Sequence, residues 1–211
     1  MIETRVVRTL DVSAASGLVL RDGCFHVVAD DENALFVFDR DAATRRIALL
    51  PGDLPEQHAQ RKESKPDFEM LVDLPGHGLL AMGSGSRATR ERAVLIDRDE
   101  RATVIDMSML FAALREAFPG LNMEGAALLG NEFVLLQRGN RSDCRNALVF
   151  IARRDLQRAL VSQRFVVTRA PRIVNLTLGM ERGVPWSGTD LCVLDDGDLL
   201  VSARHTWAVY K

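Results

Sequence analysis

Short apolar runs separated by turns recur along the chain in a similar order four times. In the third repeat, Glu124 precedes an apolar run that ends at Leu129, Gly130-Asn131 forms a turn, and Phe133–Leu136 is a second apolar run. Runs of about four to eight apolar residues bounded by turn residues are typical of buried β-strands. The pattern therefore predicts a series of β-hairpins.

Each repeat begins with a polar residue directly before its first apolar run. These four openers, Ser16, Glu69, Glu124 and Asp190, are 53, 55 and 66 residues apart. Hairpin-containing repeats of roughly 40 to 50 residues are typical of propeller blades. We therefore predict an all-β protein, a β-propeller of four recognisable four-stranded blades. It is either closed as a four-bladed ring or a shortened form of a larger propeller.

The blades are predicted to make one domain over residues 1–211. Their approximate ranges are 16–50, 68–106, 123–169 and 189–211, with a strand at Thr4–Leu10 completing the last blade and covering its edge. Outer strands are expected at Arg46–Leu50, Phe165–Arg169 and Trp207–Tyr210. Residues 51–66 and 171–189 are rich in polar residues or in Gly and Pro, so they are predicted to be connections between blades.

One short helix is predicted between blades two and three. The segment Ser108–Phe118 has apolar residues at helical spacing, with Ser108 as a candidate N-cap and Pro119-Gly120 ending the helix. A helical turn is also expected at Arg154–Leu160.

Composition excludes several classes of protein. The formal net charge is −2, so nothing favours non-specific binding to nucleic acid or to an acidic membrane surface. The sequence contains no apolar run of the roughly 20 residues that a membrane span needs and no signal-peptide pattern at its start, so a cytoplasmic location is expected. Cys24, Cys144 and Cys192 are far apart and are interpreted as buried thiols.

The openers give the first candidate site. Because the first strand of each propeller blade lines the central channel, Glu69, Glu124 and Asp190 are expected to converge near one mouth of the axis, with Ser16 as the fourth member. Three carboxylates close together favour a hard cation such as Ca²⁺, which binds oxygen ligands, and Asn122 can add an amide oxygen. The alternative is that these acids cap strands or bond to the backbone of neighbouring blades.

The second candidate site consists of polar residues that follow the second strands. Asp30 and Arg138 lie at two of these exits, and Ser84 and Arg87 lie in the GSGSR segment of blade two. Backbone N–H groups with an arginine suit an anion, whereas the alternative is an ordinary hairpin loop. Arg138 can also pair with a channel carboxylate.

Four stretches carry a family resemblance: SGLVLRDGCFHVVADDENALFVFD, KPDFEMLVDLPGHGLLAMGSGSRATR, LNMEGAALLGNEFVLLQRGN and TDLCVLDDGDLLVSA. In these residues the chain resembles an uncharacterised bacterial β-propeller family that is similar to the phytase-like and SdiA-regulated propellers. The resemblance implies a propeller fold and, through calcium-binding relatives, acidic channel residues at Glu69, Glu124 and Asp190. The calcium-bridging motifs of phytases are not found, so phytase activity does not carry over.

Three functions follow as hypotheses. The first is a binding protein that holds a small ligand or a metal ion at the channel mouth. The second is a calcium-dependent hydrolase of phosphoesters or esters, with Arg87 or Arg138 holding the anion. The third is a protein-interaction scaffold, or a homo-oligomer, that uses open blade edges for strand addition.

Overall fold

Antiparallel strands in consecutive order make up most of the protein in a computed structural model, which describes residues 5, 6, 9–39, 44–138 and 145–205. Blade one contains β1 (Ala15–Arg21), β2 (Cys24–Ala29), β3 (Ala34–Phe38) and β4 (Thr44–Ala48). Blade two contains β5 (Phe68–Leu74), β6 (Gly78–Gly83), β7 (Arg92–Ile96) and β8 (Ala102–Asp106).

The second half of the chain repeats this arrangement. Blade three contains β9 (Met123–Leu129), β10 (Glu132–Gln137), β11 (Asn146–Ala152) and β12 (Arg172–Leu176). Blade four has three strands within the described residues: β13 (Met180–Glu181), β14 (Val184–Val193) and β15 (Leu199–His205).

The blades pack face to face, and a separate apolar core fills each interface. Leu35 of blade one and Val94 of blade two belong to the first core, and Val134 of blade three and Leu191 of blade four belong to the last. The innermost strands, called the first strands below, are β1, β5, β9 and, after the two-residue β13, β14; they are neighbours in that order. Four sheets arranged in this way around their first strands confirm the predicted β-propeller.

Two glycines allow the first strands to approach each other closely. A Cβ atom on Gly17 of β1 would lie 2.7 Å from the backbone N of Leu71 in β5. A Cβ atom on Gly125 of β9 would lie 2.7 Å from the backbone N of Leu191 in β14. Only glycine permits this backbone approach, so both positions fix the distance between neighbouring blades.

The described residues form three α-helices, whereas the sequence predicted one helix and a helical turn. Helix α2 (Ser108–Ala117) confirms the predicted helix, but Ser108 is its first helical residue and not its cap. The Asp106 carboxylate accepts the Ser108 N–H at 2.9 Å. Helix α3 (Arg153–Ser162) extends the predicted turn, and α1 (His58–Ser64) lies in a segment predicted as an irregular connection.

The fourth strand of blade three was assigned to the wrong segment. Phe165 is fully buried, but it belongs to the core that blades two and three share with α2, and its N–H bonds to the Asp106 carbonyl at 2.8 Å. The outer strand is β12, which is largely exposed and therefore has no apolar alternation. Because β12, β13 and the start of β14 occupy residues 172–189, the predicted connection at 171–189 is also wrong.

The two terminal strands predicted for the last blade are not tested. Trp207–Tyr210 lies outside the described residues, as does part of Thr4–Leu10. Within the described part of the chain, no helix is both long enough and apolar enough to span a bilayer.

Candidate functional site

A β-bulge lies near the start of each first strand. The strand register skips one residue in each blade, and the skipped residues are Ser16, Glu69, Glu124 and Thr189. A bulge turns the side chain of the extra residue and raises the local twist of the strand. Three of the four predicted openers are therefore structurally equivalent residues.

Asp190 is one residue out of phase with the other openers. It pairs with Ser202 in the β14–β15 ladder, and the bulged residue of blade four is Thr189. The Thr189 and Ser202 hydroxyls lie 2.9 Å apart. The predicted opener of blade four is therefore wrong by one residue, since Thr189 directly precedes Asp190 in the sequence.

The bulges of all four blades lead into one cavity of about 530 Å³. Its lining includes six of the predicted site residues: Ser16, Asp30, Glu69, Glu124, Arg138 and Asp190. Ala14, Ala15, Thr189, Ser202 and Arg204 complete the lining. The structure thus brings the predicted channel acids to a single polar cavity.

Glu124 is paired inside this cavity. Its Oε2 lies 3.0 Å from Nη1 of Arg138, which confirms the expectation that Arg138 pairs with a channel carboxylate. Its Oε1 accepts a hydrogen bond from the side-chain amide of Asn122. Burial raises the pKa of Glu124, although Arg138 and Asn122 oppose this effect.

Glu69 faces the same cavity without such a partner. Among the described residues its carboxyl group has neither an ion pair nor a hydrogen bond. Burial, followed by repulsion from Glu124, Asp67 and Asp30, raises the pKa of Glu69 from 4.5 to about 8. The side chain therefore carries a proton at neutral pH and can donate a hydrogen bond.

The carboxyl group of Asp190 also has few hydrogen-bond partners among the described residues. Its Oδ1 accepts the backbone N–H of Leu191 at 2.7 Å, and burial raises the pKa of Asp190 from 3.8 to about 6. A carboxyl group whose pKa lies near neutrality can exchange a proton with a bound molecule.

A second cluster of acidic residues includes Glu69, which also lines the cavity. Carboxylate oxygens of Asp30, Asp67 and Glu69 all lie within 4.8 Å of one another, so this group could hold a metal ion. Hard oxygen donors suit such an ion. However, the Lys65 ammonium group already bonds to Asp30 and lies 2.9 Å from Oδ1 of Asp67. The chain therefore supplies its own cation to two of these three acids.

Ser84 lies in a buried network next to this group and does not line the cavity. Its hydroxyl donates to Oδ2 of Asp67 at 2.5 Å, and Arg90 Nη1 lies 2.9 Å from the same oxygen. Ser84 is fully buried, so it shapes the loop that carries Asp67, which has a positive φ of 56°. Arg87 is exposed beside this network and Asn122 acts through Glu124; neither lines the cavity.

Another cleft, of about 600 Å³, lies between blades one and two. Ion pairs cross it: Nη1 of Arg21 lies 3.6 Å from Asp73, and Arg45 bonds to Glu100. Its opposite charges neutralise one another, so it is a weaker candidate than the cavity with the unpaired acids.

Comparison with known proteins identifies the family. A model described as Family of unknown function (DUF6929) matches residues 11–205. The chain belongs to this family. No curated protein matches this DUF6929 chain significantly.

Several solved structures are similar to it at 9 to 13% identity. They include U3-55K (10% identity, TM-score 0.43, 93% of this chain and 54% of that one) and a streptogramin B lyase (9%, 0.44, 90% and 62%). Apo AztD from Citrobacter koseri is a third (13%, 0.38, 92% and 45%). The chain spans 45 to 62% of the length of these structures. The resemblance to phytase-like and SdiA-regulated propellers stays a prediction.

Sequence reasoning missed five polar residues in and beside the DUF6929 site: Lys65, Asp67, Thr189, Ser202 and Arg204. Lys65 and Asp67 lie in the KPDFE segment, of which only Glu69 was predicted as a site residue, although a Lys two residues before an Asp and four before a Glu is a visible charge pattern. Thr189 was passed over for Asp190. Arg204 follows an apolar strand at two-residue spacing from Ser202, and that spacing could have placed both on one face.

Proposed function

We propose that the protein binds a small polar ligand in the cavity where the four bulges meet. The observation that carries this proposal is Glu69, a half-buried carboxyl group on the cavity wall that lacks a partner among the described residues. A carboxyl group that faces a cavity without a protein partner can form hydrogen bonds to a molecule bound there. A bound ligand supplies the missing partner. The volume of about 530 Å³ lies within the usual range of small-molecule sites, about 300 to 1,000 Å³.

The cavity also has the polarity expected for such a ligand. Carboxyl groups come from all four blades, arginines from blades three and four, and hydroxyl groups from Ser16, Thr189 and Ser202. These groups favour a hydrophilic molecule with several hydrogen-bonding groups over an apolar one.

Metabolite capture tests this proposal. The purified protein is incubated with a cell extract, separated from unbound solutes, and its bound small molecules are identified by mass spectrometry. Ser202→Trp fills the cavity, and Ser162→Trp, at an exposed serine of α3, is the matched control. We expect a compound that is retained by the wild type and by Ser162→Trp but not by Ser202→Trp. Retention of no compound, or equal retention by both variants, would refute the proposal.

Calcium is the metal that we propose for the group of Asp30, Asp67 and Glu69. The support is the oxygen donor set within 4.8 Å. Because Lys65 bonds to two of the acids, Ca²⁺ binding requires its ammonium group to move. Isothermal titration calorimetry with CaCl₂ tests the proposed calcium site. The absence of a binding signal in both the wild type and Lys65→Met would refute it.

The hydrolase hypothesis is favoured by one observation. Asp190 has a pKa raised to about 6 by burial, which suits a general base near neutral pH. The test is a screen of nitrophenyl esters and phosphoesters with and without Ca²⁺. Activity must fall in Asp190→Asn for this hypothesis to stand.

A further inference from the structure

Asp190 and Arg204 lie on the same face of two paired strands. Asp190 pairs with Ser202 across β14 and β15, and Arg204 is two residues beyond Ser202. Residues two apart on a strand point to the same side, and diagonal cross-strand neighbours are about 7–8 Å apart. Both side chains line the cavity, together with Ser202.

These two side chains do not pair with each other. Within the described ranges no ion pair joins Asp190 to Arg204, and Asp190 bonds only to the neighbouring Leu191 N–H. Arg204 is exposed and is close enough to Glu124 to lower the pKa of that carboxyl group. The carboxyl group of Asp190 and the guanidinium group of Arg204 therefore face the same part of the cavity without contacting each other.

Two of the other three acids that line the cavity are already paired with a cation. Glu124 is paired with Arg138, and Asp30 with Lys65. A metal dication placed beside Asp190 would be repelled by Arg204, and a simple anion placed beside Arg204 would be repelled by Asp190. A molecule that carries both charges avoids both penalties.

We propose that the ligand is a small zwitterion with an α-amino acid head group, whose ammonium binds Asp190 and whose carboxylate binds Arg204. This inference rests on the proposed ligand-binding function and names the class of ligand. The planar guanidinium group suits a carboxylate because it can donate two parallel hydrogen bonds. Glu69 and the hydroxyl groups of Ser16 and Thr189 line the rest of the cavity and leave room for the side chain of the ligand.

Calorimetric titration of the full chain tests the head group. Each of the twenty common L-amino acids is titrated separately. The methyl ester of the tightest binder keeps the ammonium and lacks the carboxylate, whereas its N-acetyl derivative keeps the carboxylate and lacks the ammonium. We expect both derivatives to bind at least tenfold more weakly than the parent.

Two variants test which residue binds the carboxylate of the ligand and which binds its ammonium group. Arg204→Gln should weaken binding of the parent at least tenfold but change binding of the methyl ester little. Asp190→Asn should weaken the parent similarly but change the N-acetyl derivative little. Arg98→Gln and Asp195→Asn are the matched controls, because both residues are exposed and lie outside the cavity lining. The controls should bind the parent as the wild type does.

The outcomes separate this inference from the proposed function. If both derivatives bind as tightly as the parent, or if no amino acid binds while another compound is captured from the extract and lost in Ser202→Trp, the zwitterion inference fails and the ligand-binding function stands. If no amino acid binds and no compound is captured, both fail. Equal weakening of every probe by Arg204→Gln would show a general structural effect and overturn the assignment.

Discussion

Replacing Glu69 by glutamine should stabilise the protein, and the gain should grow with pH. Glutamine keeps the size of the protonated acid but cannot ionise. In the wild type, burial and the neighbouring acids raise the pKa of Glu69 from 4.5 to about 8. Between these two pH values the folded state keeps a proton on Glu69, whereas the unfolded state has lost it. The free energy of unfolding of the wild type therefore falls as the pH rises through this window.

The size of the effect follows from the two pKa values. Each pKa unit corresponds to about 1.4 kcal/mol, so ionisation of Glu69 destabilises the fold by at most about 5 kcal/mol above pH 8 and about 3 kcal/mol at pH 7. Below pH 4.5 both states are protonated and the cost disappears. Water that enters the cavity reduces these figures, so we expect Glu69→Gln to gain about 1 to 3 kcal/mol at pH 7.

Urea denaturation at pH 4.5, 7 and 8.5, followed by circular dichroism, measures the effect. Glu116→Gln on the exposed side of α2 is the matched control, and its stability should follow the wild type at each pH. A difference between Glu69→Gln and the wild type that does not grow from pH 4.5 to 8.5 would refute the reasoning. So would a loss of stability in Glu69→Gln at every pH.

Three further changes test the framework of the site. Lys65→Met should cost about 2–4 kcal/mol in urea denaturation, because it leaves Asp30 without a cation and Asp67 with Arg90 alone. CaCl₂ should restore part of this loss, and no recovery would contradict the proposed metal site. Gly125→Ala should cost about 1–3 kcal/mol and speed hydrogen exchange in β14, because its Cβ meets the Leu191 backbone. Gly130→Ala strains the turn, because the φ of Gly130 is +55°, but its Cβ meets no neighbouring atom, so exchange in β14 should stay unchanged relative to the rest of the protein. Asn146→Ala should cost about 2–3 kcal/mol and speed proteolysis near residue 186, because Asn146 bonds to the Trp186 carbonyl and the Gly188 N–H at 3.0 and 2.9 Å. Unchanged proteolysis would mean that blade four does not depend on this side chain.

The inner strands could be predicted from the sequence because each blade buries them on both faces. Residues of β6 and β10 are almost all buried, so they read as continuous apolar runs between turns. The outer strands are different. Residues of β12 are mostly exposed and carry no period of two, so the nearby apolar run around Phe165 was assigned as the strand in its place.

The residues of the candidate site that recur at the same position in each blade could be predicted from the sequence. A polar residue before an apolar strand marks the bulges at Ser16, Glu69 and Glu124, because the bulged residue leaves the apolar alternation. The partners of these residues come from elements without a repeat. Lys65 follows α1, which the sequence did not predict, and Arg204 depends on the register of β15. Pairing across strands is a tertiary property that one strand's sequence does not contain.

The position of Lys65 explains why acids that meet at one cavity differ in what they can bind. Its ammonium group and the guanidinium of Arg90 balance Asp30 and Asp67, which are therefore bound to the chain's own cations. Among the described residues, the cavity acids that remain without a cation are Glu69 and Asp190. Recognition of a positively charged group should therefore depend on Asp190 in the wild type. It should shift toward Asp30 only when Lys65 is removed, because Asp67 keeps its ion pair with Arg90. Calorimetry on Lys65→Met with an amino acid and with CaCl₂ can therefore distinguish the two sites in one protein.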